Sequence, residues 1–82
     1  MTKKNYCYTS VPEIENGYFN NRWRLAKVIE NEPGYYPYGK NQPNRLDSYV
    51  GTSDYIDSLV KTFNKRLKIS DERALTIVAS TY

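Results

Sequence analysis

The apolar residues between positions 56 and 67 constrain the fold of this chain more than any other feature. They recur at intervals of three and four residues, which places them on one face of an α-helix. They are Ile56, Leu59, Val60, Phe63 and Leu67. Thr52 or Ser53 can cap the N-terminus of this helix through a side-chain oxygen. The spacing therefore predicts one amphipathic helix whose apolar face contributes to the core.

A second, shorter helix is predicted directly after the first. Ser70 is its expected N-cap, and Asp71 and Glu72 fill a first turn in which negative charge is favoured. Its apolar side consists of Ala74, Leu75, Ile77 and Val78. Residues 53–80 are thus expected to form two helices.

Residues 6–29 are predicted to form a β-hairpin. Residues 6–11 are aromatic, β-branched or small, a composition typical of a strand. Asn16 and Gly17 tolerate the positive φ that a two-residue hairpin turn requires, whereas a turn at Asn20 and Asn21 is an alternative that shifts the register. Because Pro12 has no N–H group, the first strand is expected to lie at an edge of the sheet or to end there.

The returning strand, residues 18–29, alternates between two kinds of side chain. Trp23, Leu25 and Ile29 share one face, which is expected to pack on the helices. Arg22 and Arg24 share the opposite face, which is expected to be exposed. This alternation makes the two arginines candidates for contact with an anionic group.

Residues 31–51 are interpreted as a tyrosine-rich loop, with residues 46–50 as a possible third strand. The segment 35–45 combines tyrosines, basic side chains and amide side chains, which suit contact with a base, a nucleotide or a protein. The alternative is that the tyrosines pack against the sheet as an edge strand. The full set of candidate ligand-binding residues is Arg22, Arg24, Tyr35, Tyr36, Tyr38, Lys40, Asn41 and Arg45.

Taken together, these elements predict a single domain of 82 residues in the α+β class. The predicted domain has a small antiparallel sheet of two or three strands. Two C-terminal helices follow and are expected to pack on one face of that sheet.

The sequence lacks the residues that most catalytic and metal-binding sites require. There is no histidine, so neither a Ser-His-Asp triad nor a Cys-His zinc site can form. Cys7 is the single cysteine and is interpreted as a small buried hydrophobic residue. The carboxylate pairs lie in turns or at a helix start and are interpreted as solvated surface residues, not as an acid/base pair. They are Glu13 and Glu15, Glu30 and Glu32, and Asp54 and Asp57. We therefore expect no catalysis, no metal and no cofactor.

The chain carries 12 Lys and Arg against 9 Asp and Glu, a formal charge of +3. This excess permits an anionic partner without requiring one. A basic run at Lys61, Lys65, Arg66 and Lys68 is interpreted as a solvated helix face, with a docking site for phosphate as the alternative. No apolar run reaches the roughly 18 residues of a membrane span, so a cytoplasmic protein without a membrane partner is expected. Its small core makes a homo-oligomer the expected source of further burial.

The C-terminal third of the chain resembles a group of small proteins. It has a helix with Asn64-x-x-Leu67, the link Lys68-Ile69-Ser70 and the ending Ala74-x-x-Ile77-Val78-Ala79-Ser80-Thr81. This order resembles the C-terminal ends of small bacteriophage and prophage proteins, which have glycine where Lys68 stands. The resemblance implies a phage-like origin, and catalytically bare phage proteins of this size are often inhibitors of host machinery or defence.

Two functions remain open on these grounds. In the first, the protein captures an anionic nucleotide in a counter-defence role in the host cytoplasm, through tyrosine stacking and Arg/Lys contacts. In the second, it inhibits a host defence protein or nuclease, in the manner of an anti-CRISPR protein, through a hot-spot surface. A nucleotide requires the tyrosines and arginines to converge in a concave pocket, whereas protein docking requires a flatter patch.

Overall fold

A computed structural model describes residues 4–38 and 49–81 of the chain. In chain order, its elements are β1 (Tyr6–Glu15), β2 (Tyr18–Ile29), β3 (Tyr36–Pro37), β4 (Val50–Gly51), α1 (Ser53–Arg66) and α2 (Asp71–Ala79). The strands form one antiparallel sheet, and the two helices follow it. The predicted α+β class is therefore confirmed.

The strands β1 and β2 form the predicted hairpin. Glu15 pairs with Tyr18, so the turn consists of Asn16 and Gly17. Their φ angles are 53° and 82°. Positive φ at both central residues is the geometry that lets a two-residue turn follow the twist of its strands. The choice of this turn is confirmed.

The alternative turn at Asn20 and Asn21 is instead a bulge in β2. Pro12 pairs with Trp23 and Ile14 pairs with Phe19, so residues 20–22 lie opposite a single residue of β1. Asn21 has a φ of 66°, and Asn20 Oδ1 accepts a hydrogen bond from the backbone N–H of residue 22 at 3.1 Å. This bulge, like a hairpin turn, contains a residue at positive φ, which explains why the sequence resembles a turn there.

Strand β2 lies at the centre of the sheet. β1 pairs with one edge of it, while the two-residue strands β3 and β4 both pair with the other. β1 is an edge strand within this described sheet, as Pro12 predicted. For the possible third strand at 46–50, Val50 belongs to β4, and residues 46–48 lie outside the described residues.

Both helices begin at the predicted caps. Thr52 Oγ1 accepts the backbone N–H of Tyr55, and Ser70 Oγ accepts that of Arg73, each at 3.2 Å. Such side-chain oxygens satisfy N–H groups that have no partner inside the helix. The predicted positions of both helices are confirmed.

The end of α1 is closed by a Schellman motif around Lys68. The backbone N–H of Lys68 donates to Lys65 at 3.0 Å, and that of Ile69 donates to Asn64 at 3.2 Å. Lys68 has a φ of 60°, in the left-handed region that glycine adopts most readily. The tight link after the helix therefore forms although a lysine occupies its left-handed position.

The face of β2 that packs on α2 differs from the expected one. The fully buried cluster is Cys7, Val28 and Ile77. Cys7 pairs with Val28, and residues 24, 26 and 28 of β2 share a face by alternation. Leu25, on the other face, is also fully buried. The face with Leu25 is therefore packed as expected, and the opposite face, which is expected to be exposed, is packed as well; a strand covered on both sides loses the period-two contrast that separates core from solvent.

The helices contact both faces of β1. Cys7 lies in the cluster with Ile77 of α2, whereas the ring of its neighbour Tyr8 lies 5.1 Å from that of Phe63 of α1. Adjacent strand residues point to opposite faces, so Phe63 of α1 and Ile77 of α2 lie on different sides of this edge strand, which corrects the expectation that both helices pack on one face of the sheet. No helix in the described ranges is long and apolar enough to span a membrane.

Candidate functional site

Tyr38 is a half-buried loop tyrosine that belongs to an aromatic cluster with Tyr8, Tyr49 and Phe63. Its ring centroid lies 5.5 Å from Tyr8, 4.9 Å from Tyr49 and 5.7 Å from Phe63. Burial raises the pKa of Tyr8, with smaller contributions from the neighbouring tyrosine hydroxyls. Edge-to-face packing of this kind stabilises a core. Tyr38 thus follows the alternative in which the loop tyrosines pack against the sheet.

Arg24 is buried, which corrects the expectation that it lies on an exposed face. Its guanidinium forms a bidentate ion pair with Glu13, and its Nη1 donates to the backbone carbonyl of Tyr38 at 3.4 Å. The side chains of Arg24 and Glu13 are 8% and 18% exposed. Glu13 lies two residues after Val11, the β1 partner of Arg24, and therefore on the same face of the hairpin, where the fixed fork of guanidinium donors matches its carboxylate. Arg24 therefore joins β1, β2 and the start of the loop.

The remaining described candidates are exposed. Arg22 lies in the bulge, and Tyr35 and Tyr36 are 39% and 49% exposed. The hydroxyl of Tyr36 donates to Glu32 Oε1 at 3.1 Å, and this hydrogen bond and the carboxylate charge raise its pKa. Lys40, Asn41 and Arg45 lie outside the described residues.

The structure does not bring the described candidates into one pocket. Arg24 donates a hydrogen bond to the backbone carbonyl of Tyr38, but this bond holds the fold together and leaves neither group free for a ligand. Cavities of about 280, 250 and 350 Å³ in the described ranges are lined by other residues. None of these three cavities provides the concave convergence of tyrosines and arginines that a nucleotide requires.

Exposed apolar side chains cluster instead at the far end of the hairpin. Ile14 pairs across the strands with Phe19, and the Phe19 and Trp23 rings lie 5.7 Å apart. Ile14 and Phe19 are 49% and 46% exposed. We name Ile14, Phe19 and Trp23 the hairpin patch. Tyr18, at 78% exposure, adjoins it beside the turn. Contiguous exposed apolar side chains mark interaction surfaces, whereas isolated ones do not.

The relative lengths of the strands and helices indicate the hairpin patch, whereas the alternation of side chains does not. A strand of 12 residues is about 40 Å long, whereas helices of 14 and 9 residues are about 21 and 14 Å long. Helices of this length leave part of the hairpin uncovered. Alternation alone predicts that Trp23 belongs to the core, because alternation carries no information about the lengths of the elements that pack together.

The described residues contain no group of three or more Cys, Asp or Glu side chains placed to hold a metal ion. Comparisons of the chain with protein-family models, with curated proteins and with solved structures give no match.

Proposed function

We propose that this protein is a non-catalytic inhibitor that binds another protein, with the hairpin patch at the centre of the contact. The observation that carries the proposal is the exposed pair of Ile14 and Phe19, with the half-buried ring of Trp23 against Phe19, at the end of the hairpin. Burial of such side chains against a partner removes apolar surface from water, which is the main driving force for association.

The composition around the hairpin patch suits a protein partner. Trp, Tyr and Arg are the residue types most enriched among binding hot spots, and Trp23, Tyr18 and Arg22 lie together at this end of the hairpin. Arg22 is exposed and Glu15 lies on the neighbouring strand, so charges of both signs border the apolar centre. An apolar centre with a polar rim is the usual anatomy of a protein interface.

The class of target follows from the resemblance of the C-terminal third to phage proteins. Within this proposal the partner is a host defence protein, such as a nuclease, and the protein acts in the host cytoplasm. Nucleotide capture has less support, because Glu13 occupies the guanidinium of Arg24 and Tyr38 packs on Phe63. It would depend on Arg22, Tyr35 and Tyr36 and on the loop residues Lys40, Asn41 and Arg45.

The test is a plaque assay on host strains that each carry one defence system. We expect the protein to restore plaque formation on at least one strain, and the double substitution Phe19→Ser and Trp23→Ser to abolish this restoration. Tyr35→Ser is the matched control, because it removes an exposed aromatic ring away from the hairpin patch. Thermal unfolding of each variant confirms that it is folded.

Two results would contradict the proposal. If Tyr35→Ser abolishes the restoration and the hairpin variant retains it, the loop is the binding surface. If native mass spectrometry shows a stoichiometric adduct with a mono-, di- or cyclic nucleotide on a defined oligomer, capture of a nucleotide replaces inhibition by protein docking.

A further inference from the structure

A cleft of about 250 Å³ lies where α1, α2 and β1 meet. Its apolar lining comes from Val60 of α1 and from Ala74, Leu75 and Val78 of α2. Ala74 and Val78 pack on the buried cluster from the other side, which fixes this wall in place. Leu75, in contrast, is 71% exposed. The cleft therefore has a firm apolar wall and a leucine that the fold itself leaves uncovered.

The polar end of the cleft carries an excess of positive charge. A second cavity of about 350 Å³ shares Lys61, Asn64 and Asp71 with the first and continues it to Lys65 and Ser70. Lys61 and Lys65 are one helical turn apart and exposed, and neither forms an ion pair with another described residue. Asp71 supplies one opposing charge, and the N-terminus of α2, at Ser70, adds its positive dipole end.

The backbone N–H and C=O groups of β1 at the base of the cleft already have hydrogen-bond partners. The N–H and C=O of Tyr8 on the edge of β1 are both bonded to the side chain of Asn64, at 2.7 and 3.0 Å. A peptide therefore cannot add as a further strand at this position. Recognition has to come from side chains, through an apolar anchor and charges that complement Lys61 and Lys65.

We infer that this cleft binds an acidic peptide segment of a partner protein. One aliphatic or aromatic side chain inserts between Val60 and Leu75, and flanking carboxylates face Lys61 and Lys65. The volume suits an anchor side chain, because it is below the roughly 300–1,000 Å³ of sites that enclose a whole small molecule. The site is separate from the hairpin patch, so it goes beyond the proposed function and does not depend on it.

The test begins with a displayed library of random nine-residue peptides selected on the purified full chain. We expect the selected peptides to carry a single large apolar residue with Asp or Glu on both sides. The best of them, labelled with fluorescein, is then titrated by fluorescence anisotropy. Leu75→Ser and Lys65→Glu should each weaken its binding about tenfold, because one removes apolar contact and the other reverses a charge.

Lys68→Glu is the matched control for charge. It makes the same change at the end of α1 but does not line the cleft, so the peptide affinity should change by less than about twofold. The hairpin variant Phe19→Ser with Trp23→Ser should also bind the peptide normally. The two proposals are therefore tested independently, because the plaque assay reports on the hairpin patch and the peptide titration reports on the cleft.

Several results would overturn the inference. The selected peptides could lack acidic residues, or Lys65→Glu and Lys68→Glu could weaken binding equally, which would indicate only the overall charge. The inference is also overturned if the library yields no peptide whose binding is weakened by Leu75→Ser. Amide shifts on peptide addition are expected at Thr9, Leu75 and Val78, and shifts confined to the hairpin end would place the peptide elsewhere.

Discussion

The side chain of Asn64 is expected to be a large single contribution to stability outside the apolar core. It is 7% exposed and lies on α1 beside the free edge of β1. Its Oδ1 accepts the backbone N–H of Tyr8 at 2.7 Å, and its Nδ2 donates to the Tyr8 carbonyl at 3.0 Å. The asparagine thus takes the place of a neighbouring strand at one position of the edge, and it fastens the helix to the sheet.

The substitution Asn64→Ala removes both hydrogen bonds and leaves a donor and an acceptor of Tyr8 without partners. Each lost bond costs about 0.5–1.5 kcal/mol, and a group left unsatisfied in a partly buried place costs more. We expect the free energy of unfolding to fall by about 2–3 kcal/mol. A domain of this length has roughly 4–12 kcal/mol in total, and its melting temperature should fall by roughly 10–20 °C.

The measurement is urea unfolding followed by far-UV circular dichroism, with hydrogen exchange of the Tyr8 amide as a second readout. The control is Asn5→Ala, which removes an exposed hydrogen bond to Glu30 and should cost less than about 0.5 kcal/mol. If Asn64→Ala lies within about 0.5 kcal/mol of the wild type, or the Tyr8 amide keeps its protection, the reasoning is refuted.

Three further predictions concern positions with an unusual local environment. Lys68→Gly should raise the free energy of unfolding by about 1 kcal/mol because it relieves a left-handed residue, whereas Lys65→Gly inside the helix should lower it by about as much; equal urea midpoints would contradict this. Arg24→Met should lower it by about 2–3 kcal/mol, since Glu13 loses its partner, and an unchanged midpoint would show that the ion pair contributes nothing net. Burial raises the pKa of the Cys7 thiol from 9.0 to about 11, so a thiol reagent at pH 8 should label the protein only after unfolding. Because the unfolded chain loses this proton first, stability should fall as the pH rises from about 9 to 11, and less so in Cys7→Ala.

The helices and the hairpin turn were predictable because their signals are local. The apolar spacing on α1, the caps Thr52 and Ser70, and the Asn16 and Gly17 turn each act within a few residues of the backbone they shape. The asparagine at position 21 is an equally local signal. It indicates a residue with positive φ, but it does not indicate whether that residue lies in a turn or in a bulge. A turn and a bulge meet the same requirement, so the sequence did not separate them.

The candidate site was predictable only in part, for a reason seen at Arg24 and Leu75. Arg24 is expected to be exposed but is buried, because it forms an ion pair with Glu13 on the same face of the neighbouring strand. Leu75 is expected on the apolar side of α2 but is 71% exposed, at the mouth of the cleft between the two helices. Whether a side chain is covered depends on the element opposite, which a single segment of sequence does not specify.

The sequence by itself determined the two strands of the hairpin, both helices and where they begin, and that β1 lies at an edge, since backbone geometry follows from neighbouring residues. Tertiary structure alone decided that both faces of β2 are covered, that Asn64 bonds to Tyr8 over 56 positions of chain, and that the hairpin patch lies beyond the helices. These features depend on the register of the strands and on the relative lengths of packed elements, which are set only when distant segments meet.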